Sequence, residues 1–415
     1  MAGDEIAIDA ERFLGRLDAF AAIGATPAGG VNRQAFSPED RRARRLLAEL
    51  ASARGFSVQQ DAIANLFIRR EGRDVSRPPF LIGSHLDSQL TGGRFDGALG
   101  TLAAFEVLEA MEDAGTETAV PIEVVAWANE EGSHYQPGCM GSMAFVSGTI
   151  PEEWASMRGH DGSLFADELK ATLEALPQAA MRPLGFPITG YIELHIEQGP
   201  SLEREEISIG IVEGIQGTRW LEVTMTGQAA HAGTTALAFR RDAMAATVHA
   251  LDRLYAEVMP GDERARFTVG KLSVAPGAVN AIPERVVFTV DLRHPASAEL
   301  DRLEGLIESA CAEAATQYGC VSAQRRIFDM PPAIFPKALL AHLREAADSL
   351  GFRSKPMLSG AFHDALFVAR VAPAAMIFVP CRDGLSHNEA EYVEPHHAVD
   401  GARMLLASTL KVIGG

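Results

Sequence analysis

Cysteine is scarce in this chain: four residues in 415 (Cys139, Cys311, Cys320 and Cys381), with no CxxC pair among them. That pattern excludes a disulfide framework and a zinc finger, and it suits ordinary thiols in a reducing compartment. Long hydrophobic runs are missing too. The longest, such as Val371 to Pro380, are interrupted by proline and fall short of the roughly 20 apolar residues that a membrane-spanning helix needs. Positive charge is in deficit: 37 Lys and Arg stand against 55 Asp and Glu, a formal net charge of −18. Phosphate backbones and anionic lipid would be repelled, so neither nucleic acid nor a membrane is expected as a partner. The N-terminus is acidic (Asp4, Glu5) where a secretory leader carries Lys or Arg before its apolar stretch, which predicts a cytoplasmic protein.

What remains is the composition of a globular protein, 47% hydrophobic and 22% charged. At this length one hydrophobic core is rarely enough, so two domains, or one domain carrying an insertion, are expected. Apolar residues at three- and four-residue spacings predict helices over Ala10 to Ile23 and Pro38 to Arg54, the second capped by Ser37 with Asp40. Strands are predicted over Asn65 to Arg70, Pro79 to Gly83 and Pro121 to Trp127, with a helix over Ala98 to Met111. This is the alternation of a layered α/β domain. From Gly217 the order changes to strand, helix, strand, strand, helix, strand, a complete βαββαβ sandwich ending near Phe328. Glycine- and proline-rich segments at Glu213 to Gly217 and Asp329 to Pro332 bound it. The expected architecture is therefore an α/β catalytic domain, a mixed sheet flanked by helices, made of residues 1–213 and 331–415. An α+β domain of residues 214–330 is inserted between its halves.

Several segments carry chemistry. The strand ending near Gly83 delivers Ser84-His85-Leu86-Asp87. Residues two apart on an extended chain share a face, so Asp87 can orient the His85 ring, as carboxylates commonly do for metal-bound imidazoles. The glycine loop Thr91 to Gly97 presents Asp96 just before a helix. Pro121 to Trp127 leads into Asn129-Glu130-Glu131-Gly132, where two adjacent acids can divide the work, one binding metal and the other moving protons. His195 and His387 lie near other apolar strand-like segments. Spacing alone identifies no site here, because donors at 85, 96, 131, 195 and 387 are scattered through the chain.

Six segments in order, Gly83 to Ser88, Gly92 to Gly97, Asn129 to Gly132, His195 to Pro200, His231 to Thr235 and Ser386 to Asn388, resemble the amidase, hydantoinase/carbamoylase family of dinuclear metallohydrolases. That family lies within the zinc aminoacylase and carboxypeptidase group. The resemblance runs over nearly the whole chain. It implies two divalent metal ions per subunit, zinc or else manganese, cobalt or nickel. Asp96 would bridge them, with His85 and His195 on one and Glu131 and His387 on the other; which histidine serves which ion is less fixed than membership of the set. It also implies Glu130 as the base that takes a proton from water and hands it to the leaving nitrogen. Gln216, His231, Asn280 and Arg293 are the implied substrate-binding residues, Arg293 offering a bidentate fork to a carboxylate. The inserted domain is implied to form a homodimer in which His231 serves the partner's site.

The implied reaction is hydrolysis of the carbamoyl C–N bond of an N-carbamoyl-L-amino acid or β-amino acid, releasing amino acid, carbon dioxide and ammonia. Allantoate, also a ureido carboxylate, is the alternative, followed by an N-acyl-amino acid or a dipeptide. A non-catalytic binding protein of the same fold would show erosion of the ligands or the base, and all are present. The chain departs from the family pattern at Phe362, where Gly is usual, at Ala236, where Pro is usual, and at Thr218-Arg219 after Gly217. Phe362 bears on the substrate pocket. His363-Asp364 beside it carries no assigned role.

Overall fold

The computed structural model describes residues 6–414. The acidic N-terminal stretch on which the cytoplasmic expectation rests therefore lies largely outside the described residues. Among the described residues no helix is long and apolar enough to cross a membrane. The chain divides into two compact units, Met1–Glu213 with Ile334–Gly415, and Gly214–Ala333.

The first unit is built on four strands whose residues are all buried: Phe80–His85, Ile122–Trp127, Gly190–Ile196 and Ala374–Val379. Near-continuous apolar sequence is what strands covered on both faces require. The four run parallel, in the spatial order Ala374–Val379, Gly190–Ile196, Phe80–His85, Ile122–Trp127. Antiparallel neighbours extend this sheet on both sides: Ile209–Ile215 beside Ala374–Val379, and Leu66–Arg70 then Ser57–Gln60 beyond Ile122–Trp127. The result is the expected mixed sheet flanked by helices.

Helix Ala98–Asp113 has little amphipathic character because 14 of its 16 residues are buried. Glu106 and Glu109 are among those 14, and a buried carboxylate needs a partner. Arg12 of the helix Ala10–Ala21 supplies one, its Nη2 lying 2.7 Å from Glu106 Oε1. The expected helix from Pro38 is found as Pro38–Ala53. Ser37 Oγ accepts the Asp40 N–H at 3.2 Å and Asp40 in turn accepts the Phe36 N–H at 2.9 Å, a reciprocal cap on a helix that starts with Pro.

The second unit is a four-stranded antiparallel sheet in the order Arg266–Ala275, Arg285–His294, Gly217–Thr226, Val321–Met330. Strand Arg285–His294 alternates between buried and more exposed residues along its whole length. Its inward residues Val286, Phe288, Val290 and Leu292 form one core with Leu254 and Val258 of helix Ala243–Gly261 and Leu303 and Ile307 of helix Ser297–Gln317. The order of the main elements is the βαββαβ expected from the sequence.

Candidate metal centre

In an open parallel sheet, ligands bind beyond the C-terminal ends of the strands, where the strand order reverses. Here the chain passes from Phe80–His85 to Ile122–Trp127 on one side, then crosses to Gly190–Ile196 on the other. The reversal lies between Phe80–His85 and Gly190–Ile196. Their register, Ile82 opposite Ile192, brings His85 level with His195, and the two ring centroids lie 5.9 Å apart.

Asp96 joins two groups of donors. Its Oδ1 lies 3.1 Å from His195 Nε2 and 3.5 Å from His85 Nε2, while its Oδ2 lies 3.7 Å from His387 Nε2. His387 Nε2 is in turn 3.2 Å from Glu131 Oε2. Of three sets of potential ligands among the described residues, two, His85–Asp96–His195 and Asp96–Glu131–His387, share the Asp96 carboxylate, and the third, Glu193–His195–His363, shares His195 with the first.

The ring orientations fit metal ions. His85 Nδ1 is 3.0 Å from the Asp87 carbonyl and His195 Nδ1 is 3.0 Å from the Ile196 carbonyl. Each Nδ1–H donates to a carbonyl oxygen, so the Nε2 facing Asp96 is the nitrogen left to bind a cation. His85 Nε2 is buried without any hydrogen-bond partner, an orphan that a cation would satisfy. The expected role of Asp87 is thus shared between its atoms. The strand ends at His85, so Asp87 turns away from that strand's face, and its carbonyl holds the ring while its carboxylate stands 3.6 Å off. That carboxylate instead accepts the backbone N–H groups of Glu130 and Glu131, at 3.3 and 3.1 Å.

Three of the eight non-glycine residues with positive φ among the described residues stand beside these donors. Asn129, Gln198 and His387 all have positive φ, of 54°, 56° and 53°. Such conformations cost about 1–3 kcal/mol each outside glycine and gather at functional sites. At Asn129 the side chain compensates by donating to the Tyr135 and Pro137 carbonyls, which holds the turn that aims Glu130 and Glu131. Gly97 is needed for a different reason. Its φ is 61°, and a Cβ there would lie 2.3 Å from the His85 ring.

Charge and burial set the proton affinities. Burial raises that of Glu130, and Asp364, Glu131 and Asp96 raise it further, well above the usual carboxylate range despite the nearby His85. Burial also opposes charge on Asp96, but His195 and His85 hold its carboxyl well below that range. The hydrogen bond to Glu131 raises His387, against some burial, to about 9. Glu130 Oε2 stands 3.5 Å from His85 Nε2, and its Oε1 accepts the Cys139 thiol at 3.8 Å. A carboxylate with raised proton affinity beside the donors can take up a proton and return it.

The substrate-binding residues expected from the sequence lie in the second unit, in two places. Asn280 and His231 adjoin: the Ala232 N–H donates to the Asn280 carbonyl at 2.9 Å, and His231 pairs with Ala281. Gln216 and Arg293 lie at the other end of the sheet, where Arg293 pairs with Thr218 and its guanidinium grips Asp291 at 2.8 and 3.0 Å. The ten-residue strand Gly217–Thr226 separates the two places, about 30 Å at a strand's usual rise.

Other residues around the donors went unassigned in the sequence. Gln198 Nε2 and Ser386 Oγ donate to Asp96 Oδ2 at 2.8 and 2.6 Å. Both stand inside the recognised motifs, but nothing in the motifs says where they point. Glu193, on the same strand as His195, accepts the Ser84 hydroxyl at 2.8 Å and the Ala365 N–H at 3.0 Å. The His363 ring lies 4.5 Å from that of His195, so the unassigned His363-Asp364 pair borders the donors.

A family model, peptidase family M20/M25/M40, matches residues 81–411. The chain belongs to this family. M20 enzymes are metal-dependent hydrolases, in keeping with the two donor sets. The chain is 37% identical to the N-carbamoyl-L-amino-acid amidohydrolase of Rhizobium meliloti over 410 residues, covering 99% of this chain and 98% of that one. It is 33% identical to the allantoate amidohydrolase of Escherichia coli K12, covering 92% and 93%. The structure of an amidase of the hydantoinase/carbamoylase family from Burkholderia multivorans matches with a TM-score of 0.92 at 41% identity, over 99% of both chains. The resemblance drawn from the six motifs thus holds for fold and family.

Proposed function

We propose that the chain hydrolyses the carbamoyl C–N bond of an N-carbamoyl-L-amino acid, consuming one water and releasing amino acid, carbon dioxide and ammonia. The observation that carries this reading is the division of Asp96 between two donor sets, with the buried carboxylate of Glu130 beside them. Two divalent ions held there, zinc or else manganese, cobalt or nickel, would activate water and polarise the ureido carbonyl. Glu130 takes the proton of the attacking water on its carboxylate and delivers it to the departing nitrogen. Asp87 holds the backbone of Glu130 and Glu131 in place meanwhile. Four free thiols favour a cytoplasmic setting. The reading is tested by ammonia release from metal-loaded protein. N-carbamoyl-L-α-amino acids should be turned over fastest among a panel with N-carbamoyl-β-alanine, allantoate and N-acetyl amino acids. Preference for allantoate would replace this substrate with the alternative.

The substrate's carboxylate is assigned to Arg293. Its guanidinium already grips the Asp291 carboxylate, the geometry that a ligand carboxylate would take over. Arg293→Lys keeps the charge and loses the fork, so KM should rise roughly 10- to 100-fold, the worth of a charge-assisted hydrogen bond. An unchanged KM would remove Arg293 from the site.

The working unit is proposed to be a homodimer in which His231 serves the partner's site. Two observations support it. One small substrate cannot touch both ends of the strand Gly217–Thr226, so a site using Arg293 and His231 together needs two copies. Helix Ala243–Gly261 also exposes three large apolar side chains, Val248, Tyr255 and Met259. Glu130→Ala and His231→Ala proteins, each nearly inactive, should be unfolded and refolded together. Random pairing makes half the dimers mixed, each with one intact site, so about a quarter of the original activity should return. If His231 serves its own chain, nothing returns.

A further inference from the structure

We infer that Glu391 is a positioning residue, a latch that ties the Asp96 loop to the His387 segment so that donors from two distant parts of the chain are set together. The inference rests on the metal-binding reading of Asp96 and His387. Glu391 is only 2% exposed, and nothing in the reaction proposed above uses it. One carboxylate oxygen, Oε1, accepts the backbone N–H groups of Phe95 and Asp96 at 2.9 and 3.0 Å. The other, Oε2, lies 3.2 Å from the Ser386 hydroxyl, whose single proton goes to Asp96 Oδ2 at 2.6 Å.

Three further observations make this a built connection. A Cβ on Gly93 would lie 2.0–2.3 Å from the Glu391 carboxylate, so the glycine leaves the space that the carboxylate fills. The Tyr392 ring packs edge-on against Phe95 with centroids 5.8 Å apart. The Glu391 N–H donates to the Asn388 carbonyl at 3.0 Å, which closes the turn directly after His387. That turn matters because His387 is the most exposed of the donors and sits at positive φ, so little else holds its ring toward Glu131. Losing the latch frees the Asp96 loop and the His387 turn to move independently, and the donor set Asp96–Glu131–His387 loosens before His85–Asp96–His195, whose two histidines stand on strands.

The test measures zinc binding by competition with a chromophoric chelator, together with thermal unfolding of the metal-free protein. Glu391→Ala should weaken the second zinc ion 10- to 100-fold, as loss of an outer-shell partner typically does. Glu391→Gln keeps an oxygen for the two N–H groups and should hold both ions nearly as the unaltered protein does. Gly93→Ala displaces the carboxylate without removing a polar group, and it carries the test should Glu391→Ala fail to fold. It should reproduce the loss of the second ion. Unaltered affinity in Gly93→Ala and Glu391→Ala overturns the latch, as does a loss in Glu391→Gln equal to that in Glu391→Ala, which would make the charge the cause. Unaltered protein that binds no zinc overturns the metal reading itself and the latch with it.

Discussion

Glu130→Gln should lower turnover by about 10²–10⁴-fold, the usual worth of a positioned general base, while both metal ions stay bound. The side chain is buried among Asp364, Glu131 and Asp96, surroundings that raise its proton affinity. An amide of the same shape keeps the packing and loses the ability to accept a proton. The backbone N–H groups of residues 130 and 131 would still be held by Asp87, so the donor Glu131 should not move. Steady-state kinetics with elemental analysis of the same preparation checks both halves. Near-normal turnover would rule out Glu130 as the proton carrier, and loss of metal would make it a ligand instead.

Asp96→Ala should abolish activity and leave the protein without either ion, whereas Glu131→Gln should lose one ion only. The difference follows from geometry. Asp96 is the one residue common to both donor sets, so its loss leaves two donors on each side, His85 with His195 and Glu131 with His387. Glu131 belongs to a single set, and its loss leaves His85–Asp96–His195 complete. Metal content per chain after gel filtration distinguishes the two variants. If Asp96→Ala retains one ion at full occupancy, Asp96 does not bridge.

Much of the candidate site is legible in the sequence alone. Buried parallel strands have apolar sequences, and Phe80–His85 and Ile122–Trp127 announce themselves and the polar loops that follow them. The inserted unit was equally legible, because its strands and helices are long enough to show their periods. Ser57–Gln60 was not, since a strand reading Ser-Val-Gln-Gln has no apolar run. Ser354–Ser359 also escaped. It contains Pro356 and pairs with Ile209–Ile215 off the main path of the sheet, as an edge strand can.

By itself the sequence determined the family, because six motifs in order are a matter of residue type and local sequence, and that resemblance singled out the residues proposed as donors and base. Only the tertiary structure decided how they combine. His85 meets His195 because strand order and register put positions 110 residues apart side by side, and linear spacing carries no trace of a register. Asp87 points its carboxylate at the backbone of Glu130 and Glu131 because the strand ends at His85, two residues sooner than an extended reading requires. Glu391 fills the space above Gly93 because two loops almost 300 residues apart close on each other, and a buried carboxylate with only backbone and hydroxyl partners leaves no pattern along the chain.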